Sequence, residues 1–170
     1  MSFARKKDFS GMNRSEILQS AKERIYRSAA AAEQSTNRLQ AKMEANGYPS
    51  EIINEALDHA CSLGIIDNRR YSECLIRSTI ASGRGLSKAE REIQSLGIDI
   101  ETLDAYQEYI DRGEDAQIQD AIEFLERHPS KAKDKYGSSF RKLVSRGYSS
   151  RIASQATRRY FEDNERNDEV

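Results

Sequence analysis

Apolar residues recur at helical spacing through most of the chain. Ile52, Ile53, Ala56, Leu57, Ala60 and Leu63 make one stripe, Ile118, Ala121, Ile122 and Leu125 a second, and Ile152, Ala153, Ala156 and Tyr160 a third. The pattern predicts long helices over about 16–34, 68–82 and 115–127, with Tyr71, Cys74, Leu75 and Ser78 sharing a face of the second. No run of alternating β-branched residues competes, and Ala, Glu, Lys, Arg and Gln favour helix throughout. The fold class expected is all-α.

The stripes belong to a repeat. Asn46-Gly47-Tyr48, Leu96-Gly97-Ile98 and Arg146-Gly147-Tyr148 are spaced 50 residues apart, twice over. Four residues before each glycine stands Met43, Ile93 or Leu143, six after it Ile53, Leu103 or Ala153, and nine after it Ala56, Tyr106 or Ala156. Glycine suits the left-handed position that closes a helix, and the next apolar residue can fold back on the helix just ended. A new helix then begins behind a cap: Ser50, Asp99, and Ser149 or Ser150. Pro49 holds Tyr48 extended, and Ser87-Lys88-Ala89-Glu90 reads as a capping box opening a middle helix. Three tandem three-helix repeats follow, with boundaries at 16–66, 67–112 and 113–161, between a flexible basic N-terminus (1–15) and an acidic tail (162–170). A unit of about 45 residues buries little alone and must stack on a neighbour or a partner.

Composition alters the picture mainly through charge. The 170 residues are 32% charged, with a mean hydropathy of -0.81 and a net charge of only -1. That near-neutrality conceals segregation. Residues 129–161 hold nine basic side chains against Asp134 alone, whereas residues 100–128 hold nine acids against Arg112 and Arg127. Residues 69–95 are moderately basic. The basic blocks nominate a nucleic-acid or anionic-partner surface: Arg141, Lys142, Arg146, Arg151, Arg158 and Arg159 first, then Arg69, Arg70, Arg77, Arg84, Lys88 and Arg91. Tyr136, Phe140, Tyr148, Tyr160 and Phe161 are interleaved with them; Phe140, Tyr148 and Tyr160 keep helix-turn-helix spacing and are assigned to the core.

Catalysis is not indicated. Gly83-Arg84-Gly85-Leu86 follows no strand and reads as a turn, and there is no phosphate-binding loop or supported nucleophile. Cys61, Cys74, His59 and His128 lack metal-ligand spacing, so no metal or cofactor is expected, and the cysteines read as reduced, partly buried thiols. No apolar run reaches membrane-spanning length and the first residues lack a leader's apolar core, which points to a cytoplasmic protein without membrane contact.

The run Asp67-Asn68-Arg69-Arg70-Tyr71-Ser72-Glu73 resembles the opening of the central repeat of the RecX (OraA) regulatory proteins, and so do Arg77, Gly83-Arg84-Gly85 and Gln94 to Asp99. Ser35 to Leu39 and Lys42 to Tyr48 echo the first repeat, and Phe140 to Ser149 the last, so that the resemblance spans about 16–161. It implies an elongated, curved molecule and a non-enzymatic regulator in DNA repair, recombination and the SOS response. Such a protein binds the RecA recombinase and its filament on single-stranded DNA, and inhibits filament extension, ATP hydrolysis and strand exchange. Weak contact with single-stranded DNA and a monomeric state are expected with it. Two further readings stand beside it. One is a helix-turn-helix protein recognising duplex DNA; the other is a helical scaffold that binds protein alone.

Overall fold

The computed structural model describes the backbone over residues 7–168 and the side chains over 7–163. Among the described residues there are nine α-helices, one 3₁₀ turn and no strand. The helices are α1 (Arg14–Ala31), α2 (Thr36–Ala45), α3 (Ser50–Ser62), α4 (Asn68–Ala81), α5 (Ser87–Ser95), α6 (Asp104–Asp111), α7 (Gly113–Arg127), α8 (Lys135–Ser145) and α9 (Ser150–Asp168), with the 3₁₀ turn at Ile100–Thr102. The all-α expectation holds. No described helix is long and apolar enough to cross a membrane.

The glycine repeat is a repeat of helix ends. Gly47, Gly97 and Gly147 all have positive φ, at 86°, 72° and 100°. After each, the backbone closes in the same way. Tyr48, Ile98 and Tyr148 donate their N–H groups to the carbonyls of Met43, Ile93 and Leu143, and the glycines donate to Glu44, Gln94 and Val144. This double bond pattern satisfies carbonyls that the helix leaves unpaired, and it needs a residue at ease in the left-handed region. The residues flagged four positions before the glycines, Met43, Ile93 and Leu143, are all fully buried.

Some predicted starts and faces move. α3 begins at Ser50 with Pro49 as its cap residue, because Ile53 already donates to the Pro49 carbonyl. α5 takes Leu86 in that place and makes no side-chain cap, so the box read at Ser87 and Glu90 does not form. A true box opens α1 instead, where Asn13 accepts from Glu16 N–H and Glu16 accepts from Asn13 N–H. On α4 the buried residues are Tyr71, Ser72 and Ile76, while Cys74 and Ser78 are exposed. Both cysteines are exposed rather than partly buried, and free. The last helix continues through Asp168, into the acidic run.

The chain divides into two compact units, residues 1–71 and 72–170. In the first, α1, α2 and α3 enclose Ile25, Leu39, Met43, Tyr48, Ile53 and Ala56. The Tyr48 hydroxyl pairs with Ser20 Oγ at 2.9 Å, and Phe9, ahead of α1, packs its ring 4.8 Å from that of Tyr48. Residues 1–6 of the predicted N-terminal arm lie outside the described residues.

The second unit holds two cores. Ile76, Leu86, Ala89, Ile93, Leu103, Ala105 and Tyr109 form one, and Ile118, Ala121, Phe124, Leu125, Leu143, Tyr148, Ile152 and Ala156 the other. Two glycine backbones join them. A Cβ on Gly85 would lie 2.2 Å from the Gly147 carbonyl oxygen, and one on Gly147 would lie 2.6 Å from that of Gly85. The Ser87 N–H donates to the Gly147 carbonyl at 3.1 Å. Only residues without side chains permit this approach.

Candidate functional site

Most of the first-ranked basic side chains are engaged within the second unit. Arg146 is the most committed. Its Nε donates to the Gly83 carbonyl at 3.1 Å and a terminal nitrogen to the Ser82 carbonyl at 2.9 Å, beyond the end of α4. The guanidinium lies 4.2 Å from the Phe124 ring centroid. Planar geometry and five donors let one arginine stack and donate at once. Lys142 donates to the His128 carbonyl at 2.7 Å, closing the end of α7.

The two oppositely charged blocks of sequence meet at two ion pairs between α7 and α9, and further pairs form within or beside each block. Glu114, in the first turn of α7, accepts from Arg151 at 2.5 Å and from Gln155 at 2.7 Å. Asp115 meets Arg159 at 2.9 Å, and Arg112 donates to both oxygens of Asp120 at 2.8 and 3.0 Å. Arg158 faces Glu162 at 3.7 Å and Arg141 faces Asp134 at 3.4 Å. These pairs are solvent-exposed, so each contributes little stability and the charges remain accessible.

The second set behaves similarly. Arg70 meets Glu33 at 2.6 Å and donates to the carbonyls of Gly64 and Ile65. Asp67 accepts from the N–H groups of Arg69 and Arg70 at the start of α4. Arg77 pairs with Glu108, which holds the Glu108 carboxyl below its ordinary range, and Arg91 donates to the Ser87 carbonyl. Arg84 and Lys88 are exposed and have no ion-pair partner among the described residues. Lys131, Lys133 and Lys135, outside the nominated set, are in the same condition. Composition alone could not separate cations that the fold occupies from those it leaves to solvent.

Among the described residues no group of three or more His, Cys, Asp or Glu side chains could hold a metal ion. Although Cys61 is exposed as a residue, partial desolvation of its thiol, and then Asp58 and Asp67, push that thiol up, which disfavours the reactive thiolate. His59 Nδ1 is held by the Tyr26 hydroxyl at 2.9 Å. A cleft where the two cores of the second unit meet is lined by Gly85, Tyr106, Tyr109, Gly147 and Tyr148. Burial, and secondarily Asp120, pushes the Tyr148 hydroxyl up to about 12, and that hydroxyl has no hydrogen-bond partner among the described residues.

The described chain is a set of helical modules, three of whose helix ends are closed by glycine turns, with exposed cations on the surface. No protein-family model matches the chain. Over 76 residues, 44% of its length, it is 30% identical to the regulatory protein RecX of Mycolicibacterium vanbaalenii, and it spans 41% of that relative. Its fold matches the crystal structure of RecX from Lactobacillus salivarius with a TM-score of 0.58 and 14% identity, over 86% of this chain and 97% of that one. A second crystal structure of a regulatory protein RecX matches with a TM-score of 0.62 and 15% identity, over 84% of this chain and 73% of that one. The chain is thus similar to one RecX protein over part of its sequence and to two RecX crystal structures in its fold, and it spans less than half the length of the curated relative it matches.

Proposed function

We propose that this chain is a non-enzymatic regulator of the RecA recombinase. It binds RecA and its filament on single-stranded DNA and opposes filament extension, ATP hydrolysis and strand exchange. The observation that carries this reading is the match in sequence to a regulatory protein RecX, supported by the shared fold over most of the chain. Repeats at 16–66, 67–112 and 113–161 would offer successive weak contacts to a polymeric partner, which add through effective concentration. Within the nominated basic set, Arg84, Lys88 and Arg141 are the cations best placed to meet filament carboxylates or phosphates. Lys142 serves chiefly to hold its own module, and Arg146 to join that module to the end of α4.

Co-sedimentation with RecA, with and without single-stranded DNA and a non-hydrolysable nucleotide, tests the partner. The expected result is capture by RecA that strengthens on the assembled filament. Absence of the protein from every RecA pellet would overturn the reading.

A further inference from the structure

The five aromatic residues of the basic segment part company in the folded chain. Tyr148 is buried, and Phe140 and Tyr160 pack against the core beneath α8 and α9. Tyr136 remains 47% exposed at the start of α8. Its ring lies 5.5 Å from that of Phe161 on α9, tilted by 37°, and Phe161 is braced edge-on by Tyr160 at 5.2 Å. An accessible ring is thus backed by a second that the core holds in place.

Three cations on the Tyr136 side of this pair have no partner of opposite charge among the described residues. Lys131 and Lys133 lead into α8 and Lys135 adjoins Tyr136, all three exposed and without an ion-pair partner among the described residues. Two of the nearby acids are already engaged, while Asp163 on α9 is exposed. Asp134 accepts from the Gly137 N–H at 2.8 Å and faces Arg141, and Glu162 faces Arg158.

We propose that Tyr136 and Phe161, with Lys131, Lys133 and Lys135, form a surface for single-stranded nucleic acid. The rings take unpaired bases and the lysines take the phosphates. Every base presents a π-face, so such a platform is tolerant of sequence, while bases stacked inside a duplex cannot reach it. An acidic peptide would engage the lysines and leave the rings idle. The inference deepens the filament-regulator reading by giving the protein its own hold on the strand, yet its test needs no RecA.

The test is fluorescence anisotropy on the unmodified protein, with a labelled oligothymidine, an abasic strand of the same length and phosphate charge, a duplex, and polyglutamate as the acidic peptide. Oligothymidine should bind about tenfold more tightly than the abasic strand. Tyr136→Ser or Phe161→Ser should remove most of that preference and leave abasic binding unchanged, whereas replacing the three lysines by serine should weaken both. Equal affinity for oligothymidine and the abasic strand would overturn the proposal, as would preference for the duplex or for polyglutamate. Because that comparison uses the parent protein, misfolding of a variant cannot obscure it. A protein that prefers oligothymidine but leaves RecA unaffected would retain this surface and lose the regulator reading; inhibition of RecA without that preference would do the reverse.

Discussion

Gly147 carries two constraints at once, a φ of 100° and a backbone neighbour where a Cβ would lie. Gly147→Ala should therefore destabilise the second unit by about 3 kcal/mol or more, since backbone strain and overpacking coincide. Gly64→Ala, with φ of 66° and open space around the added carbon, should cost only about 1 kcal/mol. Urea midpoints of the two variants check the contrast, and equal shifts would mean that the Gly85–Gly147 approach is unimportant. Arg146 belongs to the same junction. Arg146→Leu should cost about 2 kcal/mol by abandoning the Ser82 and Gly83 carbonyls. Arg146→Lys should recover little, because an ammonium cannot span both carbonyls while stacking on Phe124. Tyr148 supplies a pH signature. Its folded hydroxyl is raised to about 12 from an ordinary value of 10, so its contribution is intact below pH 10 and is lost as pH rises toward 12. Urea midpoints taken across that window should fall for the parent and fall less for Tyr148→Phe, which at neutral pH gives up no hydrogen bond within the described chain.

At the level of elements, helix ends were the most legible feature. The left-handed position at each of Gly47, Gly97 and Gly147 is a local demand that only a few residue types meet, so it is written into the sequence at a fixed spacing. Helix starts were less legible, because distant groups can cap them. The carboxylate of Glu73 on α4 accepts from the N–H groups of Asp104 and Ala105 at 2.8 Å each, capping α6 from more than 30 residues away. Neighbouring sequence gives no sign of that pairing. Glu73→Ala should destabilise the second unit by about 1–2 kcal/mol, comparable with the loss of a conventional cap, and thermal unfolding would register it. Similarly, Ser87 failed as a cap because its N–H is drawn to the Gly147 carbonyl, a partner 60 residues distant. The face of α4 was misplaced for a related reason: Ile76 is fully buried, while the chosen Cys74 and Ser78 are small polar residues that solvent accommodates.

On the scale of the whole molecule, the sequence displayed charge by region but not its disposition. Acidic 100–128 and basic 129–161 look like two separate faces in the linear chain, yet Arg151 and Arg159 on α9 fold onto Glu114 and Asp115 on α7. What remains for a partner is the smaller set of unpaired cations, including Arg84 and Lys88. Reversing these two to glutamate should weaken association with the RecA filament about tenfold at low salt, with the difference shrinking as salt rises. Helix content should not fall, because Lys88 lies in the first turn of α5, where a carboxylate is the better residue. Undiminished binding by that variant would move the contact elsewhere. Action on RecA is tested most directly by the rate of its single-stranded-DNA-dependent ATP hydrolysis. Titrating this protein from substoichiometric to near-stoichiometric amounts should lower that rate progressively. A rate that stays constant over the whole titration would contradict the account.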